Sequence, residues 1–210
     1  IWGAWFYQNE KQAVRNNAAE QLKTIGQLKA DQIAWWRQER INDAHALING
    51  SPLLIEAIRY LEDPRDEDKN RLLARFQSLI AYYDYDDVLL VDPDGRIQLS
   101  RSGKSDAHTG YMEVLETALA ARRPVFIELH VEEPGMTPRV SVVTPLFVPG
   151  QPEVPPKGGV ILVSDASRFL YPLIQSWPVP SRTAETVLFR RDGDDILFLS
   201  DLRHQPGTAL

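Results

Sequence analysis

Apolar and polar positions change their period along the chain, and each change marks a different element. From Lys11 to Asn49 there is no proline, and only Gly26 interrupts the pattern. Ile33, Trp36, Ile41, Ala44, Leu47 and Ile48 recur at mostly three- to five-residue spacing, which predicts one long helix over 11–49 with an apolar stripe. Lys23, Lys29, Asp31, Arg37, Glu39 and Asp43 fill its remaining faces. At 1.5 Å per residue such a helix would run roughly 57 Å, far beyond the average, so it is a coiled-coil partner, a stalk or a spine along the domain. Gly50-Ser51-Pro52 ends it and starts a second helix, with Ser51 as N-cap and Pro52 as its first residue. This second helix runs through Leu61 and stops at Asp63-Pro64. A third, from about Asp66 to Tyr83, turns Leu72, Leu73, Phe76, Leu79 and Ile80 inward.

Beyond Tyr85 the period becomes that of strands. Asp87–Val91 is a continuous apolar run after its first residue, as in a central strand covered on both faces. Asp92-Pro93-Asp94-Gly95 is a turn with proline second and glycine fourth, and Arg96–Ser100 then alternates like a strand with one wet face. Glu113 to Arg123 predicts a short helix ended by Pro124. Further strands are predicted at 125–132, 139–147 and 159–165, the last two separated by the long polar loop from Val148 to Gly158. The strand at 159–165 and the one at 87–92 have the most continuous apolar runs, so 159–165 is expected between 87–92 and 139–147 in one antiparallel sheet. The long helix is expected along the domain, with the second and third helices on the sheet's other face. After a short helix from Ala166 to Gln175 comes the stiff linker Ser176-Trp-Pro-Val-Pro-Ser181. Segments 185–191 and 194–200 then flank Asp192-Gly193, a strong hairpin signal, although a lone hairpin is not stable by itself in water.

The fold class is therefore α+β: a long N-terminal helix and a five-stranded antiparallel sheet flanked by helices. The divisions read as residues 1–10, 11–49, 50–180 and 181–210. The first block, Ile1-Trp-Gly-Ala-Trp-Phe-Tyr7, is wholly apolar and aromatic-rich, and Gln8-Asn9-Glu10-Lys11 follow it at once. It is read as the outer end of a membrane span, where aromatic belts meet water, or else as an N-terminal strand packed on the core. Composition narrows the function. A net charge of −6 with a pI near 5.3 argues against binding nucleic acid, which needs a basic surface. The 210 residues contain no cysteine, which excludes disulfide scaffolds, thiolate metal sites and cysteine nucleophiles.

The order of these elements resembles the Cache fold, the PAS-like extracytoplasmic sensor module of bacterial receptors. The resemblance covers about residues 12–180: a long helix, two more helices, strand–(Asp92-Pro93-Asp94-Gly95)–strand, a helix, and three antiparallel strands ending Gly158-Gly-Val-Ile-Leu-Val-Ser-Asp165. The tail, with Phe169, Tyr171, Pro172, Trp177, Pro178, the hairpin from Ala184 to Ser200 and Leu202-Arg203-His204, resembles the junction of a double Cache sensor. There a second PAS-like module begins with such a hairpin, and at Leu210 that module is cut short. The resemblance implies a non-enzymatic, ligand-sensing domain on the periplasmic side of the inner membrane. Flanking segments would anchor it, and its output would be a cytoplasmic histidine kinase or diguanylate cyclase. The alternative is a constitutive dimerisation or partner-binding module of the same fold. Leu22, Ile25 and Leu28 are expected to mark a homodimer seam on the long helix.

The chemistry available to the residues themselves is spare. No two of His45, His108, His130 and His204 lie at helical i,i+4 or strand i,i+2 spacing with a carboxylate partner, so neither a metal nor another cofactor is expected. Asp106 and His108 with a serine could be drawn as a hydrolase triad, but no Gly-x-Ser-x-Gly elbow supports it. Asp86, Asp87, Asp92 and Asp94 lack the spacing of a calcium loop. By alternation His130 shares a face with Phe126 and Glu128, a face that is either solvated or part of a pocket. Asp165, at the exit of a central strand, is either the cap of the next helix or a ligand group. Cache sensors for amino acids pair such an aspartate with Arg-x-Trp-Tyr after the second strand. This chain has Arg101-Ser-Gly there and Tyr111-Met112 later, so the resemblance does not extend to an amino-acid ligand. Tyr82, Tyr83, Tyr85 and Tyr111 would wall a pocket or be ordinary half-buried tyrosines, and Arg101 is the cation that would pair a carboxylate. The expected ligand site is thus Tyr83, Arg101, Tyr111, His130, Ser141 and Asp165, with no catalytic residue.

Overall fold

The computed structural model describes residues 2–48, 51–103, 109–131, 137–151, 153–178, 184–202, 204–205, 207 and 209. Two compact units divide the chain, residues 37–169 and residues 1–36 with 170–209. The first helix, α1 (Trp2–Ile48), runs from one into the other.

In the unit of residues 37–169, the end of α1 is followed by α2 (Pro52–Glu62), α3 (Asp66–Tyr83), β1 (Asp87–Val91), β2 (Ile97–Ser100), α4 (Thr109–Ala121), β3 (Val125–His130), β4 (Arg139–Pro145) and β5 (Gly159–Asp165). The strands form one sheet in the order β2-β1-β5-β4-β3, antiparallel throughout, with β5 between β1 and β4 as the apolar runs predict. Register decides which side chains share a face. Leu89 pairs with Ile161, Ile161 with Val143 and Val143 with Val125, and all four belong to the apolar layer beneath α4 with Tyr111, Leu115 and Ala118. The intervening residues Val88, Leu90, Val142, Val160 and Leu162 pack on the opposite side with Ala44 and Ile48 of α1, Leu54 of α2, and Leu72 and Phe76 of α3. Each such fully buried aliphatic side chain contributes about 1.5–3 kcal/mol by leaving water.

The arrangement of helices corrects one expectation. The end of α1 shares its side of the sheet with α2 and α3, and among the described helices α4 covers the other. Only residues 49–51 separate α1 from α2, and so short a connection keeps consecutive helices adjacent. Helix α4 also starts at Thr109 rather than Glu113 and ends at Ala121, where Arg122 adopts a left-handed φ of 51°. The turn after β1 forms as predicted: Asp92 accepts a hydrogen bond from the Gly95 amide at 2.9 Å, and its side chain accepts one from the Arg96 amide at 2.9 Å. Gly95 has φ +78°, and a Cβ there would lie 1.7 Å from Met112 Sδ.

In the other unit, α1 is helical from Trp2 onward, so the aromatic block is neither a strand nor a break. Trp2, Trp5, Phe6 and Tyr7 are exposed on it. Among the described residues no helix is long and apolar enough to cross a membrane. Helix α5 (Leu170–Gln175) is shorter than expected, because residues 166–169 form turns. The hairpin of β6 (Phe189–Asp192) and β7 (Asp195–Phe198) closes with Asp192 opposite Asp195, so its turn is Gly193-Asp194 rather than Asp192-Gly193. Glycine takes the first central position, with φ +63°, where a II′ turn demands positive φ.

Candidate ligand-binding site

Four of the six expected site residues lie on the α4 side of the sheet. Ser141 sits in β4 between Ile127 and Val163, all three facing α4. It is 1% exposed, and its hydroxyl has no hydrogen-bond partner among the described residues. Tyr111, in the first turns of α4, is buried and meets His130 edge to face, with ring centres 5.7 Å apart and an interplanar angle of 89°. Asp165, half-buried at the end of β5, pairs in register with Arg139, which pairs in turn with His130. Tyr111, His130, Ser141 and Asp165 therefore line one side of the sheet, towards the end where β5 leaves it.

His130 reaches this face by a route that alternation does not provide. Strict alternation along β3 groups it with Phe126 and Glu128, and those two do face the other side: Phe126 packs on the layer beneath α3, and Glu128 pairs with Arg37 at 2.9 Å. The register slips between Ile127 and His130, however, so His130 opposes Arg139 from the position that Leu129 would otherwise hold. A bulge of one residue inverts every side chain after it. The ring is then oriented by a 2.9 Å hydrogen bond between Nδ1 and the Glu128 carbonyl.

Tyr83 and Arg101 are placed elsewhere. Arg101 follows Leu99, which packs beneath α3, and its Nε donates to Gln77 Oε1 on α3 at 2.7 Å. Tyr83 ends α3, is 40% exposed, and its carbonyl accepts a hydrogen bond from Arg40 at 3.0 Å. Both lie on the side away from α4. Asp165 does serve as a local cap, its Oδ1 accepting the Ser167 amide at 2.8 Å, while its other oxygen lies 4.0 Å from Arg168. Asp106 and His108 lie outside the described residues.

The cation that sequence reasoning missed is Arg139. It starts β4 two residues before Ser141, and that spacing is the signal that could have found it, since strand residues two apart share a face. Its guanidinium pairs with Asp86 at 2.8 Å, with side-chain exposures of only 15% and 24%. Nearby on the same face Asp87 is buried, accepting hydrogen bonds from the Ser100 hydroxyl at 3.2 Å, from the Ser102 amide at 3.2 Å, and from the Ser102 hydroxyl. The site thus combines one partly sheltered guanidinium, carboxylates already supplied with donors, an aromatic pair and one hydroxyl lacking a partner. Such a set can take a small polar molecule by charge and hydrogen bonds. Among the described residues no group of three histidine, aspartate or glutamate side chains could hold a metal ion.

Comparison with solved structures places the fold. The sensor domain of the V. cholerae histidine kinase DctB superposes with a TM-score of 0.57 at 16% identity, over 81% of this chain and 61% of that one. The chain has the fold of a Cache-type sensor domain. The ligand-binding domain of the Pseudomonas aeruginosa amino-acid chemoreceptor PctC, solved with GABA, gives 0.53 at 19% identity over 73% of this chain and 64% of that one. That of the Campylobacter jejuni chemoreceptor Tlp3, solved with 4-methylisoleucine, gives 0.54 at 13% identity over 72% and 60%. The chain therefore spans between 60% and 64% of the length of these three structures. No protein-family model and no curated protein matches the sequence.

Proposed function

We infer that this chain is the ligand-sensing part of a membrane-anchored receptor, non-enzymatic itself and held on the extracytoplasmic side. Binding a small carboxylate on the α4 face would shift the domain between two arrangements. The shift would pass along α1 to a cytoplasmic kinase or cyclase, and it requires that the ligand favour one arrangement by differential affinity. The observation that carries this reading is the Ser141 hydroxyl, buried without a hydrogen-bond partner among the described residues, on the same face as Tyr111, His130, Arg139 and Asp165. Buried polar groups are paired in the great majority of structures, and a ligand would pair this one. Support comes also from the sensor-domain fold and from PctC and Tlp3, which were solved with small molecules that carry a carboxylate. In this reading Arg139 replaces Arg101 as the carboxylate partner, the polar groups being few and convergent as ligand sites require.

A thermal-shift screen of carboxylates, amines and amino acids against the wild-type chain tests the proposal. A ligand at 100 times its Kd should add about 2.7 kcal/mol of stability. Ser141→Ala should act with opposite signs on the two states. Without ligand the variant gains stability, by about 1 kcal/mol, because an unpaired buried hydroxyl is removed. Towards the ligand it loses affinity, as does Arg139→Gln. If no compound of the three classes shifts the melting temperature, or if both variants bind as the wild type does, the sensing site is not on this face.

A further inference from the structure

A second cleft lies at the opposite end of β4. Thr144 is five residues along the strand from Arg139, roughly 17 Å away at 3.4 Å per residue. The cleft has a volume of about 310 Å³ and is lined by His45, Arg122, Arg123, Thr144, Pro145 and Phe147, with Pro124 completing it. Three of these carry basic side chains, and none is acidic.

Two observations make this more than a basic patch. The first is how the arginines are held. The Arg122 guanidinium stacks on the Phe147 ring, 4.1 Å from its centre, and among the described residues neither arginine has a carboxylate partner. Stacking fixes the plane of a guanidinium while its N–H edge stays available for a two-pronged contact with an oxyanion. The second is Thr144. It is 1% exposed, and its hydroxyl has no hydrogen-bond partner among the described residues. Helix α4 ends beside the cleft, and its last carbonyls amount to roughly half a negative charge, which two guanidiniums outweigh. The net field therefore favours an anion.

We propose that this cleft, between the end of α4 and the Thr144 end of β4, binds a compact, doubly charged oxyanion held by Arg122 and Arg123. The volume is at the lower end of what ligand sites enclose, and it suits a phosphate-sized or short dicarboxylate species rather than a larger molecule. The site is separate from the α4-face site and stands whether or not that one binds a carboxylate.

Isothermal calorimetry of the whole chain with inorganic phosphate, which is no carboxylate and so is not the ligand proposed for the α4 face, against sodium chloride at matched ionic strength, tests it. Saturable binding of phosphate is expected, with no binding of chloride. Arg123→Gln and Arg122→Gln should each weaken that binding at least tenfold, and Thr144→Val by several-fold. Ser141→Ala, on the opposite face of β4, should leave phosphate binding unchanged. Circular dichroism checks each variant, and if Arg122→Gln unfolds then Arg123→Gln decides alone. Absence of saturable phosphate binding overturns the proposal. So does phosphate binding that survives Arg123→Gln or falls with Ser141→Ala, since the anion then sits elsewhere.

Discussion

Tyr85 carries a hydroxyl into the apolar layer beneath α3, where the residue is 1% exposed and the oxygen lacks a hydrogen-bond partner among the described residues. Burial pushes its pKa well above the ordinary tyrosine value, and the Arg40 guanidinium, 5.5 Å from the ring centre, offsets this only in part. The folded state therefore keeps a proton that the unfolded chain gives up at ordinary alkaline pH. Its contribution to stability is complete below pH 10 and is lost as pH rises beyond it. Urea melts of wild type and Tyr85→Phe at pH 8 to 11 should show the wild type losing stability above pH 10 relative to the variant. Parallel curves would mean that the hydroxyl ionises freely in the fold. Tyr85, Ser141 and Thr144 share one property, a buried hydroxyl without a partner among the described residues, but only the two in β4 lie at the binding sites proposed above.

Helix α5 has little of its own to hold it. Six residues cannot make a stable helix alone, and the hydrogen bonds that secure it come from outside. Lys29 of α1 is 5% exposed and donates to the Leu173 carbonyl at 2.5 Å and to Ser176 Oγ at 2.6 Å, which satisfies the helix's C-terminal end. Tyr171 donates from its hydroxyl to the Leu199 carbonyl at 2.7 Å, joining α5 to the segment after β7. Replacing Lys29 with methionine keeps the aliphatic stem and removes both donors. The expected cost is about 1.5–3 kcal/mol, the range for hydrogen bonds from a charged group, with faster amide exchange confined to α5 and its neighbours. Exchange unchanged in α5 would show that packing alone secures it. In the unit of residues 37–169 the slip of β3 against β4 sets the face of His130.

At the scale of the whole molecule, signalling by the proposed receptor would require two chains to respond together. Helix α1 offers the seam, since Leu22 and Leu28 are 57% and 46% exposed, with Ile25 half-buried between them. Spacing of three residues puts these side chains on one face, as helix pairing needs. A two-fold pair of such helices would bring two membrane-proximal ends together. Analytical ultracentrifugation should show a concentration-dependent dimer that Leu22→Glu with Leu28→Glu abolishes, while the oxyanion and carboxylate sites bind as before. A wild-type monomer at high concentration would remove this seam from the proposal.

Elements set by local physics were legible from residue order. Asp66–Tyr83 and Gly159–Asp165 have the predicted bounds, and the central place of β5 follows from its unbroken apolar run, which needs cover on both faces. Ser141 and Asp165 were also within reach, because straight strands alternate. The remainder of the site depended on contacts between distant segments. A single slip between β3 and β4 moved His130 across the sheet, and Arg101, two residues after Leu99, falls on the α3 side, where it meets Gln77. Arg139 shares the face of Ser141 by alternation, whereas its pairing with Asp86, from before β1, depends on the assembled sheet. The cleft at Thr144 draws on α1, the segment after α4, β4 and the segment after β4, and no pattern along the chain brings those together. Period and turn chemistry act over a few residues and are written locally, whereas the facing of a charged group depends on register between strands, which only the assembled sheet decides.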